Sequence, residues 1–145
     1  MSDSHTVLLA IDLSDEAEHV ASKALSLAKS NNATLHIIHV IEPLSFAYGG
    51  DIPMDFSGIQ DEIQKQAQIQ LADFSTRHGI PEAQQHIAIG RPEKEIHSMA
   101  EELDADLIVV GSHGRHGLAL LLGSTANGVL HRATCDVLAV RVGKR

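Results

Sequence analysis

Tryptophan is absent from the 145-residue chain, cysteine occurs once, and four residues are aromatic: Phe46, Tyr48, Phe56 and Phe74. A core cannot be built on large rings here, so it must rest on Ala, Val, Ile and Leu. The single cysteine, Cys135, excludes an internal disulfide. It reads as a small core residue just before a strand. Basic residues are also scarce. Eleven Lys and Arg stand against nineteen Asp and Glu, a formal charge of −8. A general nucleic-acid binder would show a basic face, so that class is excluded. A single nucleotide is not, because charge acts over only roughly 10 Å at moderate salt. No apolar run approaches the roughly 20 residues needed to cross a bilayer. Met1-Ser-Asp-Ser-His-Thr6 has no basic segment of the kind that begins a secretory signal. The expectation is one domain over residues 1–145, soluble and cytoplasmic, with no membrane partner.

What is present is a set of short apolar runs separated by helical patterns. Val7–Ile11, Thr34–Ile41, Gln85–Ile89, Leu107–Val110 and Asp136–Val142 read as strands. After the first, Ser14 is the expected helix cap, with Asp15 and Glu16 in the first turn. Ala17, Val20, Ala21, Ala24, Leu25 and Ala28 then form an inward stripe. Residues 44–58 read as a loop. Ile59, Ile63, Ala67, Leu71 and Phe74 predict the buried face of a long helix ending near Arg77. Gly90-Arg-Pro92 turns into a helix with Pro92 at its first position, burying Ile96, Ala100 and Leu103. A last helix runs from about Ser124 to Ala133. Strict alternation with apolar strands predicts an α/β fold, a doubly wound parallel sheet with helices on both faces.

In such sheets ligands sit beyond the carboxyl ends of the strands, where the strand order reverses. Two strands end in unusual chemistry: the first in Asp12, the fourth in Gly111. From Gly111 the chain reads Gly-Ser-His-Gly-Arg-His-Gly, then reaches Gly123-Ser-Thr125. Glycines that admit a ligand close to the backbone, followed by a helix N-terminus, suit an anion. A tight turn with no ligand is the alternative. The stretch is no P-loop, since no Gly-Lys-Ser/Thr follows, and the dinucleotide pattern Gly-x-Gly-x-x-Gly is absent after the first strand. His36 and His39 fall on opposite faces of one strand and cannot clasp one metal. His113 and His116 lack a nearby Cys or placed carboxylate, so no metal site is expected. Ser112 and Ser124 sit in no Gly-x-Ser-x-Gly pattern, and Glu93, Glu95, Glu101 and Glu102 read as a solvated helix face. No residue stands out as a catalyst.

Val7–Ser14, His39-Val40, Gly90-Arg-Pro92, Asp106–Gly114, Gly123-Ser-Thr125 and Cys135–Val140 together resemble the universal stress protein family across nearly the whole chain. The resemblance implies five strands in the order 3-2-1-4-5, an adenine nucleotide alpha-hydrolase-like sheet. It also implies a homodimer paired through the terminal strand, residues 137–142, and a role in stress response with an unidentified regulatory partner. Nucleotide-binding members carry Gly-x2-Gly-x9-Gly-Ser/Thr. Here the pattern is Gly111-x2-Gly114-x8-Gly123-Ser124, one residue shorter. By resemblance, Asp12 and the Val40 backbone lie near adenine and ribose. Gly111 and Gly114 line ribose and phosphates, while Gly123, Ser124 and the Thr125 N–H hold the phosphates. Arg115 adds a cation, and magnesium or manganese accompanies ATP, with AMP or ADP as the lesser nucleotides. Two other readings stay open: a dimeric interaction protein that binds no nucleotide, and a slow ATP-hydrolysing enzyme.

Overall fold

The computed structural model describes residues 5–14, 16–43, 57–111 and 124–141. Its order is β1 (His5–Ile11), α1 (Ala17–Ser30), β2 (Ala33–Ile41), α2 (Ser57–Arg77), a 3₁₀ turn (Glu82–Gln84), β3 (Gln85–Ile89), α3 (Pro92–Leu103), β4 (Leu107–Gly111), α4 (Ser124–Arg132) and β5 (Asp136–Val140). All strand pairs are parallel, and the sheet runs β3-β2-β1-β4-β5. The expected doubly wound architecture is therefore present. The first half of the chain winds outward from β1 to β3. The chain then crosses to β4 on the other side of β1.

Alternation along each strand sends side chains to two separate cores. Val7, Leu9 and Ile11 of β1 pack with Ile37, Val109, the alanine stripe of α1, and Leu71 and Phe74 of α2. Leu8 packs on the opposite face with Ile38, Ile108, Val110, Ile96 and Ala100 of α3, and Ala126 and Val129 of α4. Aromatic scarcity is met as expected: Phe74 is the aromatic residue in these clusters, and aliphatic side chains fill the rest.

Two local expectations are corrected. Ser14 does not cap α1. Glu16 occupies the cap position and no side chain closes it. The reason lies upstream: the Asp12 carboxylate accepts the Ser14 N–H at 3.0 Å, and Leu13 adopts a left-handed φ of 59°. Residues 12–14 form a turn of their own, and the helix starts after it. Asp15 lies outside the described residues. The stripe of α2 is also only half buried. Ala67, Leu71 and Phe74 are buried, but Ile59 and Ile63 are 50% and 38% exposed. A 21-residue helix is roughly 32 Å long, whereas the five residues of β3 cover roughly 17 Å. The first turns of α2 therefore overhang the sheet. At the other end, Glu18 of α1 accepts hydrogen bonds from Arg77 and from His78 Nε2. The Arg77 bond is the main cause holding the Glu18 carboxyl below its usual range. Both side chains are about half exposed, so this link orients the helices more than it stabilises them.

Edge strand β3 is tied to β2 by a histidine pair. His36 Nδ1 and His86 Nε2 lie 2.9 Å apart, so one ring must donate and the other accept. Burial is the main cause pushing both below the ordinary value of 6.5, with the facing ring adding to the shift of His36 and Glu102 opposing that of His86. Unfolded chains then bind more protons than folded ones as pH falls below 6.5. Stability is expected to be level above neutrality and to decline from about pH 6.5 downward, through the lower folded values. Urea midpoints measured from pH 7.5 to 5 check this. Replacing both His36→Gln and His86→Gln should flatten the slope, and an unchanged slope would assign it to other histidines.

Candidate functional site

Strand β1 is central, with β2 on one side and β4 on the other. The order reverses between β1 and β4, so the switch point lies there. Asp12 follows the last residue of β1, Val40 is next to last in β2, and Gly111 ends β4. These three expected residues leave adjacent parallel strands at one edge of the sheet. Asp12 is exposed, and one of its oxygens is engaged by the Ser14 N–H. Val40 is half-buried on the Leu8 side. Gly114, Arg115 and Gly123 lie outside the described residues, as do His113 and His116. Ser124 opens α4, and Thr125, the second residue of that helix, is half-buried.

The helices run back antiparallel to the strands, so their N-termini gather at this same edge. Their first turns differ in charge. Glu18 lies in the first turn of α1, and Glu93 and Glu95 lie in that of α3. Those carboxylates already offset the partial positive charge of their helices. The first turn of α4 carries no acidic residue, and neither does that of α2. Of these two, α4 is the one whose preceding strand borders the switch point. Its N–H groups are chemically suited to a negatively charged group arriving over β1 and β4.

Two contacts at this edge were not read from the sequence. His39, in register with Ile11, places Nδ1 2.9 Å from the Ile11 carbonyl oxygen. Gly90 donates its N–H to the Ile41 carbonyl at 2.9 Å, joining the exit of β3 to the end of β2. The signal for His39 was its place beside Val40. Its partner, a backbone oxygen 28 residues away, leaves no trace in sequence. The described residues hold no group of three or more His, Cys, Asp or Glu that suits a metal ion. The Cys135 thiol is half-buried, and burial is the main cause raising it further from the reactive thiolate form.

A five-stranded parallel sheet in the order β3-β2-β1-β4-β5, with helices on both faces, defines a class of doubly wound α/β proteins. Within that class the chain belongs to the universal stress protein family, whose model matches residues 4–141. It is 46% identical over 136 residues to universal stress protein A homolog 1 of Coxiella burnetii, covering 92% of this chain and 94% of that one. Homolog 2 of the same organism is 37% identical over 146 residues, covering 98% of each. Among solved structures, universal stress protein UspA from Lactobacillus plantarum superposes with a TM-score of 0.76 at 22% identity, over 97% of this chain and all of that one. That likeness speaks for the fold. A universal stress protein in complex with cAMP has a TM-score of 0.60 and 28% identity, covering 96% of this chain and 98% of that one.

Proposed function

We propose that this chain is a regulatory module of the stress response that binds ATP, with magnesium or manganese, at the switch-point crevice. The observation that carries the reading is the convergence of Asp12, Val40 and Gly111 on one sheet edge, beside a helix start with no acidic residue. A family member in complex with an adenine nucleotide, cAMP, supports the choice of base. In this reading Asp12 and Val40 meet adenine and ribose. Gly111 and Gly114 admit the sugar and phosphates, and Gly123, Ser124, Thr125 and Arg115 hold the phosphates. The divalent ion screens the triphosphate, which matters in a chain of net charge −8. The chain works in the cytoplasm as a homodimer. Strand β5 is an edge paired on one side with β4, and Val137, Leu138 and Ala139 along it are half-buried, so a second copy can extend the sheet there.

Calorimetry with ATP and Mg²⁺ tests the reading directly. Wild-type protein should bind. Gly114→Val, which fills the glycine stretch, should weaken binding by about a hundredfold or more while the thermal midpoint holds, a loss of roughly 3 kcal/mol. Absence of binding by the wild type would leave a dimeric interaction protein. One feature favours that second reading: the interval from Gly114 to Gly123 is one residue shorter than in nucleotide-binding members. Hydrolysis of ATP is a weaker reading, because no acid–base group is placed for it among the described residues.

A further inference from the structure

The exit of β1 is held by three local features. The Ile11 carbonyl faces His39 Nδ1 at 2.9 Å. Beyond it, the Asp12 Oδ1 accepts the Ser14 N–H at 3.0 Å. Between these, Leu13 sits at a φ of 59°. A leucine in the left-handed region is strained, and such a residue persists only where its surroundings over-determine it. The Asp12 bond fixes the far side of Leu13. The near side, the Ile11–Asp12 peptide plane, is held from the neighbouring strand by His39.

A carbonyl oxygen can only accept, so the proton of this bond belongs to His39 Nδ1. His39 is in parallel register with Ile11, on the face where Ile11 and Ile37 join the core of α1 and α2. Val40, the next residue, points to the opposite face. One side chain thus links the strand that carries Val40 to the peptide that carries Asp12. We propose that His39 is a positioning residue of the crevice: its Nδ1–H, donated to the Ile11 carbonyl, fixes the direction in which the Asp12 carboxylate leaves β1. With Oδ1 held by Ser14, the second carboxylate oxygen is presented to a donor on the ligand, a ribose hydroxyl or the exocyclic amine of a purine. This inference rests on the nucleotide reading above for its ligand, and stands on the geometry of residues 11–14 for its mechanism.

Three proteins test it: wild type, His39→Asn and His39→Leu. The side-chain amide of Asn can place a donor near the position of Nδ1, whereas Leu keeps bulk without a donor. A long-range proton–nitrogen spectrum of the wild-type imidazoles, taken above pH 8, should show neutral His39 carrying its proton on Nδ1. A proton on Nε2 overturns the inference. Backbone amide signals of Asp12, Leu13 and Ser14 should move in the Leu variant and stay near their wild-type places in the Asn variant. Unmoved signals in the Leu variant also overturn it. Affinity for ATP with Mg²⁺ should fall about tenfold in the Leu variant, the scale of one lost hydrogen bond, and recover to within about threefold in the Asn variant. Equal affinity of wild type and Leu variant counts against the inference. If the wild type binds no ATP, the proposed function fails by itself, and the tautomer and amide signals decide the role of His39.

Discussion

Gly128→Val is expected to lower stability by about 3 kcal/mol, with Gly128→Ala costing about 1. A glycine inside a helix is ordinarily improved by alanine, by up to about 1 kcal/mol. At this position the sign reverses. A Cβ on Gly128 would lie 2.8 Å from the Cβ of Glu93 and 3.0 Å from its Cγ. The Glu93 Cβ is fixed to its backbone and cannot swing aside as a side-chain tip can. Helices α3 and α4 must move apart, and Ala126, Val129 and Ile96 in the core beneath them then lose contact. For a chain of this length the valine variant should melt about 10 °C lower. Chemical denaturation measures the loss. The double variant with Glu93→Gly removes the opposing Cβ, so it should regain at least about 1 kcal/mol over the sum of the single effects. Simple additivity would show that the helix contact is not the cause. Because Gly128 lies one turn beyond Ser124 on α4, the same separation shifts the helix start that faces the crevice. Under the proposed nucleotide function, the valine variant should also bind ATP more weakly than the wild type.

The contrast between what was and was not legible follows from the range of each interaction. Strand identity was legible because Val7–Ile11 and Leu107–Val110 are apolar on consecutive residues, as buried parallel strands are. Helix faces were legible where a helix lies flat on the sheet, as α1 does through Ala17, Val20, Ala21, Ala24 and Ala28. They misled at Ile59 and Ile63, where the helix outruns the strands beneath it, since periodicity reports a stripe and not what covers it. Half of the candidate site was legible for a related reason. Asp12 and Gly111 interrupt apolar strands at their carboxyl ends, and the parallel topology then places them together. His39 and Gly128 were not legible. Each acts on an atom far along the chain, the Ile11 carbonyl oxygen or the Glu93 side chain, and neither residue type announces that partner. Ser14 shows the converse. Its type predicts a cap, but residues 12–14 form their own turn, closed by the Asp12 carboxylate, the Ser14 hydroxyl finds no hydrogen-bond partner among the described residues, and α1 begins only at Ala17.

Leu8→Ala and Leu9→Ala are each expected to cost about 3–4 kcal/mol, nearly the same on the two faces of the sheet. Neighbours along a strand point to opposite faces. In a sheet with one wet face, one of two adjacent leucines would be exposed and cheap to truncate. Here both are fully buried. Leu8 meets the cluster of Ile38, Ile96, Ile108 and Val129, and Leu9 meets Ile37, Leu71 and Val109. The two cavities open on different faces, so each site must relax against its own helices. Urea denaturation of the two single variants reads both losses, and a cost below about 1 kcal/mol at either would mean that its covering helices are not closely packed. The site depends on both layers. Asp12 leaves β1 three residues after Leu9, on a strand packed on both faces. Truncating either leucine should therefore quicken amide exchange at Ile11 as well as lower the midpoint. Rapid exchange at Ile11 in the wild type would show that β1 frays before it reaches Asp12, leaving the crevice without the rigid floor that nucleotide capture by fixed N–H groups requires.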